Sequence, residues 1–167
     1  DRFFLSEEAK AVLADDRHPA NLIGMFQSVV AIYDSVDTLP DCFRTGIGHS
    51  YDDKGENCAC GIERMTKRFQ TDQLVPDLLP RLDGLVEMLQ NGVKVADVGC
   101  GGASSTIAMA KVFPESQFIG YDISMHALNR ARNNINAAGV KNVTLHNAID
   151  NPLPNDASFD LITTFDV

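Results

Sequence analysis

The feature that most constrains this chain is an alternation that begins after Gly92. Val93 to Val98 is a short apolar run of strand character, followed by a glycine cluster at Gly99, Gly101 and Gly102. A helical stretch from Ala103 to Phe113 is stopped by Pro114, and Gln117 to Tyr121 reads as a second strand. Ser124 is placed to cap a helix with Leu128, Ala131, Ile135 and Ala138 on one face, ended by Gly139. Asn142 to His146 and Phe159 to Phe165 supply a third and a fourth strand, the last read as buried. Strand, helix, strand, helix, strand with short connections predicts an α/β fold with a parallel sheet and right-handed crossovers.

Upstream the pattern is helical. Ser6 reads as an N-cap with Glu7 and Glu8 in the first turn, where carboxylates favour the helix dipole. From Pro19 to Val36, Leu22, Phe26, Val29, Val30 and Tyr33 form one stripe, and Met25, Val29, Ile32 and Val36 an adjoining one. A helix apolar on two faces is expected to be buried on both, inside a domain or between subunits. Residues 38–61, with Pro40, Gly46, Gly48, Gly55 and Gly61, read as loop. Thr71 reads as the cap of a helix carrying Leu74, Leu78, Leu82, Leu85 and Leu89, with a restart near Pro80. The domains so predicted are 1–70, mainly helical, and 71–167, α/β. No turn precedes Phe3-Phe4-Leu5, and nothing follows the strand near Val167 to cover it, so the chain reads as a fragment of a longer protein.

Composition narrows the function. Twenty-three acidic against fourteen basic residues give a net charge of −9, the wrong sign for a surface that neutralises phosphates, so no nucleic-acid partner is expected. No apolar run is long enough for a membrane span, and no signal sequence opens the chain. The four cysteines do not form a disulfide framework, which fits a cytoplasmic protein.

The chemistry lies in Val95-Ala96-Asp97-Val98-Gly99-Cys100-Gly101-Gly102-Ala103. Glycines between a strand and a helix let a ligand approach backbone closely. Asp122 ends the next strand 25 positions after Asp97, near the offset of about 20 residues expected of an acid that grips ribose hydroxyls. Position six from Gly99 is Ser104 rather than glycine, and Asp97 sits just before the turn. Both features disfavour the phosphates of a nicotinamide dinucleotide, and hence an NAD(P)-dependent oxidoreductase. A cationic ligand such as S-adenosylmethionine suits the acid better.

Val95 to Gly101, Phe118-Ile119-Gly120-Tyr121-Asp122 and the run Leu153 to Ile162 together resemble class I S-adenosylmethionine-dependent methyltransferases. Gly48-His49-Ser50-Tyr51-Asp52 and Leu79-Pro80-Arg81-Leu82-Asp83-Gly84 resemble the bacterial members with an N-terminal winged-helix dimerisation domain. The resemblance implies a Rossmann-like sheet of order 3-2-1-4, its remaining strands missing here. It implies that Phe3 to Leu13 is the tail of the winged helix, that residues 18–37 lie at a homodimer interface, and that the activity is methyl transfer to a small-molecule acceptor. Asp97, Gly99, Cys100 and Gly101 would surround the methionine part of the cofactor, Asp97 nearest its ammonium. Asp122 would accept the ribose hydroxyls and Ile123 would pack on adenine. Where the family carries an acid for the adenine amino group this chain has Ala148, so Asp150 and the Ile149 N–H are the substitutes expected. Phe165 and Asp166 would lie near the methyl end. A non-catalytic protein that binds the same cofactor for regulation is the alternative, since a binding motif does not fix turnover.

His49, in a loop read as capping the pocket, is the one candidate for a catalytic base. Cys58-Ala59-Cys60, with Cys42 and His49, has no usual zinc spacing, so no metal is expected.

Overall fold

The computed structural model describes residues 3–18 and 20–165. Contacts divide the chain into two units, Asp1–Arg68 and Phe69–Val167.

In the first unit, helix α1 (Glu7–Leu13) begins at Ser6, whose hydroxyl accepts the Ala9 N–H. Helix α2 (Ile23–Asp34) is shorter than the sequence predicts and buries only Gly24 and Ala31 within the chain. Phe26, Ile32 and Tyr33 are 55%, 63% and 74% exposed, so neither apolar stripe is covered here. Residues 38–61 are not a loop. They contain α3 (Leu39–Thr45), a 3-10 turn (Asp52–Lys54) and the start of α4 (Gly55–Arg68).

Gly61 lies inside α4 because α2 crosses there. A methyl group on Gly24 would meet the Gly61 carbonyl at 2.5 Å, and one on Gly61 would meet the Gly24 carbonyl at 2.6 Å. The two helices touch through backbone, which explains a glycine that breaker rules assign to a turn.

The second unit opens with a π-helical segment, Phe69–Leu78, that contains Pro76. Thr71 lies within it and donates to Asp72 rather than capping a helix. The wider helical turn accompanies a proline that lacks the N–H an α-helix would use. A 3-10 turn (Leu79–Arg81) follows, and helix α5 (Leu85–Gln90) starts at the left-handed Gly84 rather than at Pro80.

Strand β1 (Lys94–Val98), helix α6 (Ser104–Val112), strand β2 (Gln117–Asp122), helix α7 (Met125–Ala138), strand β3 (Val143–Asn147) and strand β4 (Leu161–Thr164) complete the unit. All pairings are parallel and the order is β3-β2-β1-β4, the Rossmann-like order expected. Alternation along the strands separates two faces. Val95 and Phe118 pack with Leu74, Leu89, Met109 and Phe113, while Ala96, Ile119 and Tyr121 meet Leu153 and Phe159. Strand β4 is shorter than predicted and lies at one edge among the described residues, so Ile162 is 55% exposed rather than buried.

Two polar side chains tie this sheet to its helices. Buried Ser116 donates to the Leu89 carbonyl at 2.6 Å and accepts the Val93 N–H at 3.1 Å. The Asn142 amide reaches the carbonyls of Ala110, Phe113 and Ser116, satisfying the end of α6 and the turn after it.

Candidate functional site

Strands β1 and β2 end side by side, with Val98 in register with Tyr121, so the turn after β1 and the carboxylate after Tyr121 meet. The Gly99 and Cys100 N–H groups both donate to the Tyr121 carbonyl, at 2.8 and 3.0 Å. The Gly101 N–H donates to Asp122 Oδ2 at 2.8 Å. Gly99 and Gly101 have φ of +71° and +53°, a region that glycine enters freely. Ala103 holds φ +61° immediately before α6, at a steric cost that a glycine would not bear.

Asp122 is 9% exposed. Its Oδ1 accepts the Ser124 N–H at 2.8 Å, so both oxygens are oriented by backbone amides and each keeps acceptor capacity. Ser124 in turn caps α7 by accepting the Ala127 N–H. The sequence pointed to Ser124 as a cap but not to its amide as a partner of Asp122.

Asp97 is 1% exposed. Ser105 and Thr106, in the first turn of α6, donate to its Oδ2, and Thr163 on β4 reaches its Oδ1 at 3.2 Å. Three hydroxyls thus surround the carboxylate and leave it to act on a ligand through its field rather than by direct contact. Burial pushes its pKa up, the three hydroxyls oppose this, and the charge of Asp122 adds to the rise. Sequence reading did not single out these hydroxyls. Their signal was a serine-threonine pair opening the helix after the glycine turn.

Cys100 is buried beneath the turn, its thiol pushed well above the ordinary thiol range by burial and by Asp97 and Asp122. Ile123 and Ile149 stand 53% and 72% exposed. The Ala148 N–H donates to the Asp122 carbonyl at 2.9 Å, and the Ala148 side chain packs on the Ala96, Ile119 and Tyr121 cluster. The Ile149 N–H, expected to serve an adenine ring, donates here to Asn147 Oδ1 at 2.8 Å, two residues before it at the end of β3. The Asn147 amide also reaches the Met125 sulfur at 3.2 Å. Asp150 is exposed and Phe165 is half-buried against the Leu74–Phe118 core. Asp166 lies outside the described residues.

His49 belongs to the first unit, where its Nε2 is 2.6 Å from the Thr38 hydroxyl. Cys58 and Cys60 are two residues apart on α4, a spacing that points side chains to different sides of a helix. No cluster of three groups able to hold a metal occurs among the described residues. Nor is any helix among them long and apolar enough to cross a membrane.

Residues 89–167 match the family described as a methyltransferase domain. Demethylmenaquinone methyltransferase of Geobacillus stearothermophilus is 42% identical over 78 residues, which are 45% of this chain and 33% of that enzyme. The match thus spans about a third of the length of that curated relative. A provisionally assigned O-methyltransferase from Nostoc punctiforme superposes with a TM-score of 0.62 at 17% identity, over 95% of this chain and 48% of that one. A provisionally assigned S-adenosylmethionine-dependent methyltransferase from Methanococcus maripaludis does so with a TM-score of 0.53 at 20% identity, over 70% of this chain and 53% of that one. Residues 89–167 therefore have both the sequence match and the Rossmann-like fold of a methyltransferase domain.

Proposed function

We propose that this chain is part of an S-adenosylmethionine-dependent methyltransferase acting on a small organic acceptor. The observation that carries the reading is Asp122, a carboxylate at the end of β2 whose two oxygens are aimed by the Gly101 and Ser124 amides. Its free lone pairs suit the two ribose hydroxyls. Asp97 adds a second, buried negative charge to the same turn, which favours the ammonium and sulfonium of the methyl donor. The exposed Ile123 and Ile149 offer apolar surface for a flat purine.

A dinucleotide fits less well. Its phosphates would meet two carboxylates, and the N–H groups of Gly99, Cys100 and Gly101 that would receive them are engaged within the fold.

The bound cofactor supplies a methyl group already activated by a sulfonium. The protein's part is to hold donor and acceptor in line and to exclude water. In this reading Gly99, Cys100 and Gly101 line the methionine portion, and Phe165 stands toward the methyl end. His49 is the candidate base for a hydroxyl acceptor. Phe3 to Leu13 is read as the tail of a winged-helix domain, and the exposed apolar face of α2 as a homodimer interface. Four free thiols fit a cytoplasmic setting.

Calorimetry on the full-length protein tests the reading. S-adenosylhomocysteine should bind more tightly than NADH, and label from the methyl donor should pass to a small acceptor. Tighter binding of NADH overturns it.

A further inference from the structure

Two helix hydroxyls and one strand hydroxyl meet the buried carboxyl group of Asp97 in unlike ways. Ser105 and Thr106, both buried in the first turn of α6, donate to Oδ2 at 3.0 and 2.5 Å, and neither side chain makes another hydrogen bond among the described residues. Thr163 stands in register with Asp97 on the neighbouring strand. Its hydroxyl lies 3.2 Å from Oδ1 and 3.3 Å from the Ala96 carbonyl, so one hydrogen has two acceptors within reach.

That hydroxyl can serve either charge state of the acid. With Asp97 ionised, it donates to Oδ1. With Oδ1 protonated, the acid donates to Thr163 Oγ1, and the threonine hydrogen turns to the Ala96 carbonyl, which can only accept. Neither state leaves a buried polar group unpaired. A proton on Oδ2 would instead leave a hydroxyl of α6 without an acceptor, which is costly in a buried site.

The surroundings set the balance between the two states. Asp122, at the end of β2, is the charged neighbour, and Cys100 in the turn is the other titratable group beside it. On β2 the residue opposite Asp97 is Gly120, while α6 and β4 face it with hydroxyls. Among the described residues no salt bridge reaches Asp97 or Asp122. Burial and the Asp122 charge favour the protonated acid, and a cation brought to the turn by a ligand would favour the carboxylate.

We infer that Asp97 is a proton-exchanging counter-charge for the methyl donor: it gives up a proton from Oδ1 when a sulfonium ligand enters the turn and keeps it when the ligand is neutral at sulfur, with Thr163 turning its hydroxyl between the carboxyl group and the Ala96 carbonyl. The O–H bond breaks, the electron pair stays on Oδ1, and the proton passes to the buffer. Ser105 and Thr106 are positioning residues that hold the ionised form. The inference rests on the function proposed above.

Calorimetry on the full-length protein, run in buffers of unlike ionisation enthalpy, counts the protons released on binding. At mildly acidic pH, S-adenosylmethionine should release more protons than S-adenosylhomocysteine, and the ratio of the two affinities should rise with pH to a plateau. Thr106→Val removes a donor that only the ionised form uses, so it should raise the midpoint of that rise by about one pH unit, and Thr106→Ser should restore it. Thr163→Val should move the midpoint much less, because that hydroxyl serves both forms. Equal proton counts for the two ligands, an unmoved midpoint in Thr106→Val, or a shift in Thr163→Val as large as that in Thr106→Val overturns the inference. Binding of neither ligand overturns the proposed function instead. The carbon-13 resonance of the Asp97 carboxyl group, followed through the same pH series in unliganded protein, then tests the proton site by itself. Titration above the range of a free aspartate, moved higher in Thr106→Val, supports the site, and titration at the ordinary value overturns it.

Discussion

Asp122 and Gly101, 21 residues apart, are joined by a 2.8 Å bond from the glycine N–H to the carboxylate. The bond shapes the turn after β1 and orients the group that the proposed cofactor would grip. Asp122→Ala should therefore lower affinity for S-adenosylhomocysteine tenfold or more, since a hydrogen bond to a charged group is worth about 1.5–3 kcal/mol. Asp122→Asn should do little better, because its NH₂ would face either the Gly101 or the Ser124 N–H. Isothermal calorimetry on both variants checks this.

Asp97 makes stability fall with pH. Its folded pKa is raised, so between the ordinary carboxylate value of 3.8 and the raised value the folded state binds more protons than the unfolded one. The stabilisation is fully present below the lower value and is lost as pH rises through the folded pKa. Asp97→Asn has no such proton to lose. Denaturant unfolding at a series of pH values should show wild type losing stability relative to this variant as pH climbs above that of a free aspartate.

Asn142→Ala should destabilise the second unit by about 1–3 kcal/mol, because it strips the Ala110, Phe113 and Ser116 carbonyls of a shared donor. Thermal unfolding measures the loss.

Gly61→Ala should part α2 from α4. Its methyl would lie 2.6 Å from the Gly24 carbonyl and 2.9 Å from the Ser28 nitrogen, backbone atoms that cannot rotate away. Overpacking of this kind costs about 1–3 kcal/mol. Hydrogen exchange should quicken in α2 and α4 and stay unchanged in β1, β2 and β3.

The α2 surface carries a fifth expectation. If it forms the proposed homodimer interface, Ile32→Glu should lower the mass seen by light scattering at micromolar concentration, leaving helicity unaltered. A protein already monomeric before the change would refute the interface.

Local chemistry made much of this legible in the sequence. Ser6 and Ser124 cap the helices they precede, Gly139 ends α7 with φ +69°, and Asp122 stands at the end of β2. Each of these rests on neighbours within a few residues. What escaped reading depends on distant partners. Gly61 is helical because another helix passes over it, and no breaker rule contains that helix. Ser105, Thr106 and Thr163 look like ordinary polar residues until the sheet brings a buried carboxylate among them.

Cys100 sits under the turn with its sulfur pressed toward β2, where a methyl group on Gly120 would come within 2.8 Å of it. Held as the neutral thiol by burial and two carboxylates, it is a poor nucleophile toward peroxides and alkylating agents. Oxidative damage would fall first on the half-exposed Cys42 and Cys60, in the other unit. The ligand turn is thus chemically quiet, and a thiol reagent could label this protein without marking the place where its cofactor is proposed to bind.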